Sequence, residues 1–211
     1  MSVSVQTPES LLAAVEGDVD IDVADRFEDS TVDVALAERA VADLLHAFGR
    51  DVSGPHLGDT PRRVVAGLRE MIEPRPFAMT TFPNDSGYDE LVLVRDIPFI
   101  SLCAHHMLPF RGVAHVGYLP GERIVGLSKL ARVVETFSRD LQVQEALTAQ
   151  IADHLQHHLA PRGVGVVLEA EHMCMTLRGV RAVGTTTVTS AFRGVLRDDE
   201  NLRAAFAPRA H

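Results

Sequence analysis

Apolar residues follow a helical spacing in the first third of the chain. Between residues 33 and 48 they recur every three or four positions, which predicts a helix that ends at Gly49. A second helix is predicted to begin at Thr60, which suits an N-cap, because Pro61 fits the first turn. Pro74 stops that helix.

Strand patterns follow, on either side of a second pair of helices. Strands are predicted over residues 91–100, 113–119, 123–126, 165–175 and 184–196, and helices over 128–137 and 143–159. Grouped strands flanking two helices indicate an α+β fold, in which an antiparallel sheet carries its helices on one face. The edges of such a sheet must be paired or protected, which favours assembly of several copies into a ring.

The length and composition suit one main domain with a tail. A chain of 211 residues with 46% hydrophobic content can bury a substantial core. We divide it into an acidic, flexible leader over residues 1–30, a helical region over 31–90 and an α+β domain over 91–211. The leader is predicted to be flexible because its crowded acidic residues gain little from burial.

Charge and cysteine usage exclude several classes of protein. A net charge of −9 leaves no excess of basic residues to neutralise phosphates, so a nucleic-acid partner is not expected. Two cysteines do not form a disulfide framework. No apolar run has the length of a membrane span, and the first residues lack the features of a signal peptide. We therefore expect a cytoplasmic protein with no membrane partner.

Both cysteines lie within three residues of histidine, in two distant segments. The first segment contains Cys103, His105 and His106, and the second contains His172 and Cys174. Thiolates and imidazoles are preferred zinc ligands, and three protein ligands with one open position are typical of a catalytic site. In a strand over residues 165–175, the second pair would face the same side, so that one residue binds metal while the other acts on what it holds. The alternative is two buried structural cysteines beside unrelated histidines.

Basic residues at two helix starts are candidates for an anion site. Lys129 and Arg132 lie three residues apart in a first helical turn, and helix N-termini attract phosphate. Arg63 lies near the start of the second helix, where a cation opposes the helix dipole. A solvated basic face explains Lys129 and Arg132 equally well, and it is the favoured interpretation for Arg63.

Further residues give weaker signals. Glu145 begins a helix, where it either answers the helix dipole or binds a guanine edge. Arg178 follows Cys174 by four residues, so that it lies either close to the metal segment or in solvent. His154 and His158 are one helical turn apart without a carboxylate or cysteine placed with them, so we expect them on a surface helix.

Six segments together resemble the GTP cyclohydrolase I family. They are DTPRRV (59–64), SLCAHHMLPFRG (101–112), GYLPGERIVGLSKLARVVE (117–135), LQVQEALTAQIA (141–152), EHMCMTLRGV (171–180) and TVTSAFRGVLRDD (187–199). The resemblance covers residues 36–206. Several independent segments in the family's order are more specific than any single motif.

The resemblance implies both a fold and a reaction. The implied tunnelling fold has a four-stranded antiparallel sheet and a helix pair (ββααββ), preceded by N-terminal helices. Its subunits form a barrel, two rings stack into a decamer, and the active sites lie at subunit interfaces. The implied reaction opens the imidazole ring of GTP, releases C8 as formate and recloses the product as 7,8-dihydroneopterin triphosphate, for folate or another pterin pathway.

The family's functional residues have counterparts in this chain. The implied zinc ligands are Cys103, His106 and Cys174, and the implied proton-transfer pair is His105 and His172. The metal is expected to lower the pKa of a water that attacks C8. The resemblance assigns ribose opening to Ser128, guanine recognition to Gln144 and Glu145, and triphosphate binding to Arg63, Lys129, Arg132 and Arg178.

Two positions depart from the family pattern. Ala104 replaces an acid beside the metal ligands, and Ala66 replaces a lysine of the anion clamp, a loss of about 1.5–3 kcal/mol of charge-assisted hydrogen bonding. An alternative is therefore a diverged cyclohydrolase that takes a modified guanine nucleotide such as 8-oxo-GTP, or stops at a ring-opened product. A third hypothesis is a zinc-bound scaffold without catalysis, against which the presence of both His105 and His172 counts.

Overall fold

The computed structural model describes residues 32–75 and 77–207, together with the backbone of residues 19–20. The acidic leader predicted for residues 1–30 lies outside the described residues except at that short segment, and so does the end of the chain from residue 208. The flexibility of the leader and the division into three regions stay predictions.

The elements alternate in the predicted order of helices, strands, helices and strands. The strands are β1 (Val19–Asp20), β2 (Ala78–Met79), β3 (Thr81–Pro83), β4 (Val92–Cys103), β5 (Pro109–Leu119), β6 (Arg123–Val125), β7 (Leu141–Gln142), β8 (Gly163–His172) and β9 (Thr187–Gly194). The helices are α1 (Val34–Ala47), α2 (Thr60–Ile72), α3 (Leu127–Ser138), α4 (Gln144–Leu159), α5 (Met173–Thr176) and α6 (Glu200–Ala204), and a 3₁₀ turn covers Val195–Arg197.

The central sheet has the strand order β7-β4-β5-β8-β9. The four long strands β4, β5, β8 and β9 pair antiparallel, which confirms the predicted sheet. The two-residue β7 adds a parallel strand beside the end of β4, where Cys103 is aligned with Gln142. The sequence pattern did not indicate this fifth strand.

Helices α3 and α4 cover one face of the sheet and close the main core. Since side chains alternate along a strand, Val166 and Leu168 of β8 point into this core, whereas Val167 points to the other face. On that other face, a smaller cluster joins Val167 to Leu119, Leu196 and Phe206. Fully buried residues of the main core include Phe110, Val116, Leu130, Val133, Val134, Leu147, Ile151, Leu155, Val166 and Leu168.

The N-terminal helices α1 and α2 pack against each other. Asp33 caps α1 by accepting a hydrogen bond from the backbone N–H of Leu36. No residue of α1 is buried in the single chain, and Leu36, Leu44 and Phe48 are each more than half exposed. The apolar stripe predicted from the helical spacing is therefore present but only partly covered by α2.

Three local predictions are wrong. The strand predicted over residues 165–175 ends at His172, because its ladder with β5 stops one residue from the start of β5 and the unpaired chain closes a helical turn. The N-cap of α2 is Asp59 rather than Thr60, which is already helical. Likewise, Gly126 is the N-cap of α3, and Ser128 is its second residue.

Candidate metal centre and catalytic site

The first metal segment is the tight connection between β4 and β5. The backbone N–H groups of His106 and Met107 donate to the carbonyl of Cys103, at 3.2 and 2.8 Å. The N–H of Cys103 donates to the carbonyl of Leu108 at 2.9 Å, and Met107 adopts a left-handed conformation with φ of 53°. This turn folds the two histidines back beside the Cys103 thiol.

The second segment reaches the first through the ladder between β5 and β8. Phe110 pairs with His172 at the end of this ladder, and the helical turn α5 then carries Cys174. As a result, Cys103 Sγ, a ring nitrogen of His106 and Cys174 Sγ all lie within 4.8 Å of one another. The structure thus brings together the three predicted metal ligands.

The spacing of these donors fits a zinc ion. Cys103 Sγ lies 3.9 Å from His106 Nδ1. Tetrahedral zinc bonds sulfur at about 2.3 Å and nitrogen at about 2.0 Å, which sets neighbouring donors about 3.5–3.8 Å apart. Cys103 is buried, Cys174 is half-buried and His106 is exposed, so the site is open on one side.

The electrostatics of the two thiols also favour a cation. Both cysteines are free thiols. Burial raises the pKa of the Cys174 thiol, the neighbouring Cys103 raises it further, and Arg178 opposes the rise. A thiol that resists ionisation becomes a good ligand once a divalent cation stabilises its thiolate, and this applies to Cys174.

The reason given for the predicted relation between His172 and Cys174 is wrong, and their separate roles stay a prediction. Strand alternation was expected to point both side chains to one side, but β8 ends at His172 and Cys174 belongs to α5. The helical turn, rather than a strand period, brings Cys174 to Cys103. His172 stays outside the group of three metal donors.

Two histidines flank the metal group. His105 Nδ1 lies 3.7 Å from Cys103 Sγ. The ring of His172 stacks on Phe110 with a centroid distance of 4.6 Å and an interplanar angle of 4°. Burial lowers the pKa of His172, and the carboxylate of Glu145 acts in the opposite direction. The balance favours the neutral imidazole at neutral pH.

The start of α4 borders the same site. The N–H of Ala104 donates to the carbonyl of Gln142 at 3.0 Å, which ties the metal turn to the segment before α4. Gln144 is buried with 2% exposure, whereas Glu145 is exposed. The two residues predicted as a guanine-reading pair therefore have different surroundings, and only Glu145 offers its side chain to solvent.

Arg178 lies beside the metal group. Its guanidinium Nη1 is 3.4 Å from His106 Nε2, and the side chain is exposed. Of the two alternatives that the sequence left open, this position favours the one near the metal segment. Its role toward a substrate stays a prediction.

The other predicted substrate residues lie elsewhere in the chain. The first half of α3 contains Ser128, Lys129 and Arg132. The other end of this helix lies next to Asp140, whose carbonyl accepts a hydrogen bond from Ser101. The helix separates its two ends by about 15 Å. Arg63 forms an ion pair with Asp59 at 3.2 Å. Within residues 32–75 and 77–207, no hydrogen bond or ion pair links Arg63 or the start of α3 to the metal group.

Sequence reasoning missed Phe110 and Thr189. Phe110 supports the ring of His172 from the neighbouring strand, and Thr189 of β9 contacts the side chain of Gln144. Both relations depend on strand register, because cross-strand neighbours are distant in sequence. The Pro109-Phe110 step after the histidine pair gave no separate signal.

Fold and donor set define the class of the protein. It is an α+β protein with a candidate three-donor metal site at one end of its sheet and two histidines beside that site. Within the described part of the chain, no helix is long and apolar enough to cross a membrane.

Comparison with known proteins identifies the family. The family model described as GTP cyclohydrolase I matches residues 37–211. The chain is 52% identical over 179 residues to GTP cyclohydrolase 1 of Mycobacteroides abscessus, covering 82% of this chain and 87% of that one. It is 54% identical over 173 residues to GTP cyclohydrolase 1 of Streptomyces coelicolor, covering 79% and 85%. The chain belongs to the GTP cyclohydrolase I family.

One solved structure is also similar. It is the archaeosine synthase QueF-Like in the apo form, matched over 49% of this chain and 93% of that chain, with a TM-score of 0.41 and 15% identity. The identification rests on the family model and the relatives, and this likeness carries none of it.

Proposed function

We propose that this chain is a zinc-dependent GTP cyclohydrolase I. It opens the imidazole ring of the guanine in GTP, releases C8 as formate and recloses the remaining atoms as 7,8-dihydroneopterin triphosphate, for folate or another pterin pathway. One observation carries the proposal: in a member of this family, Cys103, His106 and Cys174 converge beside His105 and His172.

Cys103, His106 and Cys174 hold the zinc ion. When bound, the ion would act as a Lewis acid and lower the pKa of a water molecule toward neutrality. Two thiolates and one imidazole suit zinc better than magnesium or calcium, which prefer oxygen ligands. Because the thiols must stay reduced to bind metal, the reaction belongs in a reducing compartment such as the cytoplasm.

His105 and His172 hold and move the protons of the reaction. Opening the ring adds water across a C8–N bond, so one proton leaves the water and another reaches the departing ring nitrogen. Imidazoles exchange protons near neutral pH, which suits both transfers. His105 lies beside Cys103, and His172 lies at the end of the ladder between β5 and β8. Both positions support this pair.

Glu145 recognises the guanine edge. Its exposed carboxylate in the first turn of α4 accepts hydrogen bonds from the guanine N1–H and the 2-amino group together. A purine without these donors leaves the carboxylate unpaired and is rejected. Gln144, the neighbour of Glu145 in sequence, is the second member of the pair, and its side chain is buried.

Arg63, Lys129, Arg132 and Arg178 bind the triphosphate, and Ser128 assists opening of the ribose. The start of α3 lies about 15 Å from the other end of the helix, which adjoins the metal site. The α3 residues that complete each site are therefore supplied by a neighbouring subunit. We propose a decamer of two stacked rings with interfacial active sites. The exposed apolar residues of α1 support burial in such an assembly.

The test compares GTP with 8-oxo-GTP, each incubated with zinc-loaded protein. With GTP we expect equal amounts of formate and pterin, the pterin being read by its fluorescence after oxidation. C8 of 8-oxo-GTP is already at the oxidation level of carbonic acid, so that nucleotide cannot yield formate. Formate without a pterin favours the enzyme that stops at a ring-opened product, which Ala104 and Ala66 motivate. If neither nucleotide is consumed, the proposal is wrong.

A further inference from the structure

The orientation of the Gln144 side chain follows from its surroundings. Its amide Nε2 lies 3.2 Å from the carbonyl of Leu168, 3.1 Å from the carbonyl of Thr187 and 3.1 Å from Thr189 Oγ1. Backbone carbonyls only accept hydrogen bonds, so the amide atom that faces two of them must be the nitrogen. The usual ambiguity between the amide nitrogen and oxygen is therefore removed by the network.

The network closes on itself. Thr148 Oγ1 donates to the backbone carbonyl of Gln144 at 2.7 Å, which uses its one hydrogen. Thr189 Oγ1, 2.6 Å from Thr148 Oγ1, must then donate to Thr148, which leaves its lone pairs to accept from the Gln144 amide at 3.1 Å. The hydrogen bonds run from the Gln144 amide through Thr189 and Thr148 back to Gln144. Such a closed set holds the side chain in one orientation.

This orientation determines the tautomer of His172. Gln144 Oε1 can only accept, and it lies 2.7 Å from His172 Nε2, so Nε2 carries the ring hydrogen. In the neutral imidazole the lone pair then lies on Nδ1. Across the described residues, no hydrogen bond reaches Nδ1. Stacking on Phe110 keeps the ring in the plane that this hydrogen bond requires.

We propose that Gln144 is the positioning residue of His172. Its locked amide holds the imidazole as the Nε2–H tautomer and leaves Nδ1 as the nitrogen that exchanges a proton with the substrate or water. This inference rests on the proposed function and deepens it, because it assigns the Gln144 side chain to the histidine and leaves guanine recognition to Glu145. It predicts an effect on turnover rather than on nucleotide affinity.

The kinetic test replaces Gln144 by methionine, which keeps the length of the side chain and removes the acceptor. For Gln144→Met, we expect kcat to fall about 10- to 100-fold, as for other residues that orient a catalytic or metal-bound histidine, with KM for GTP within about twofold of wild type. Bound zinc is measured in the same samples and stays at the wild-type level. A higher KM at unchanged kcat would show a guanine-binding side chain and overturn the proposal, and so would an unchanged kcat.

The matched control is Gln156→Met. Gln156 lies near the other end of the same helix, and its amide also donates to a backbone carbonyl, that of Pro161, at 3.1 Å. We expect it to keep the wild-type kcat. If Gln144→Met does not fold, Thr189→Val removes one acceptor of the amide without touching the histidine, and a several-fold loss of kcat is expected. An unchanged kcat in Thr189→Val would contradict the proposal.

A second readout does not depend on activity. Neutron diffraction from a deuterated crystal of the zinc-loaded wild-type protein is expected to show deuterium on Nε2 of His172 and on the Gln144 atom that faces Leu168. Deuterium on Nδ1 alone would overturn the inference even if GTP is consumed. The predicted tautomer in a protein that releases no formate would instead disprove the proposed function and leave the geometry intact.

Discussion

At the scale of single residues, neighbours in the sequence have different tasks. Gln144 and Glu145 look like one polar pair in the sequence, but the first is buried against β8 and β9 and the second is exposed. The sequence places both at a helix start. It cannot state which one faces the sheet, because that depends on how α4 is rotated against β8 and β9.

His154 is a second residue whose surroundings the sequence pattern did not show. It was expected on a surface helix, and its half-buried ring packs against Phe137 and His158, with centroids at 5.1 and 4.3 Å. Its Nε2 is buried without a hydrogen-bond partner among the described residues. Burial, with smaller contributions from His158 and His157, lowers the pKa of His154 from 6.5 to about 4.

This pKa predicts a loss of stability in acid. Between pH 6.5 and about 4 the unfolded chain binds a proton at His154 and the folded chain does not, so the free energy of unfolding falls as the pH drops through this window. The full shift corresponds to at most about 3 kcal/mol, and partial contact with solvent reduces it. Between pH 7 and pH 5, we expect the free energy of unfolding of zinc-loaded His154→Leu to fall by about 1–2 kcal/mol less than that of the wild-type protein, as measured by urea unfolding.

His46→Leu serves as the control, since His46 is exposed near the end of α1. It should retain the pH dependence of the wild-type protein. A wild-type pH dependence in His154→Leu as well would mean that another group causes the acid loss.

At the scale of elements, the ladder between β5 and β8 aligns the two metal segments. A Cβ at Gly112 would lie 1.8 Å from the carbonyl oxygen of Glu169 and 2.7 Å from Cα of Ala170. Both are backbone atoms of β8, so they can move away only if the two strands separate. For Gly112→Ala, we expect a destabilisation of about 3 kcal/mol or more and a loss of bound zinc, measured by urea unfolding and metal analysis.

The control is Gly67→Ala in α2. A Cβ at Gly67 meets no atom within 4 Å, and the residue is inside a helix. This substitution should raise the free energy of unfolding by about 0.5–1 kcal/mol and leave the zinc content unchanged. Full zinc binding in Gly112→Ala would show that strand register does not build the metal site.

Most of the helices and strands could be predicted from the sequence. The four long strands and the helix pair follow from periodicity, since each element buries one face. The end of β8 at His172 could not be predicted, because it depends on where β5 starts. Residue types and spacing gave the candidate metal segments, and the resemblance to the family implied which three residues are the ligands. The stacking of Phe110 on His172 required the strand register.

At the scale of the whole molecule, we propose that each site is shared between two chains. The proposal of interfacial sites predicts that two inactive variants complement each other. Arg132→Ala lacks one cation of the clamp, and Cys174→Ser lacks one metal ligand. Each alone should release little formate at limiting GTP. Co-expressed in one cell and purified as mixed assemblies, they should regain roughly a quarter of the wild-type sites, because random mixing joins two intact contributions at that frequency.

Separate expression and mixing of the folded variants provides the comparison. Without subunit exchange, the mixture should show only the sum of the two separate activities. If the co-expressed protein does no better than that sum, Arg132 and Cys174 serve the same site from one chain. The sequence could not decide this question, because in the proposed assembly the start of α3 and the metal group meet through subunit packing, which local pattern does not reveal.

The most direct measurement determines bound zinc and formate release on the same samples. Wild-type protein is stripped of metal and titrated with zinc, and Cys103→Ser and Cys174→Ser are treated in parallel. The account predicts one zinc per chain, a rate of formate release from GTP that rises in proportion to bound zinc, and loss of both in the two variants. Formate release at the wild-type rate from a variant that binds no zinc would contradict it.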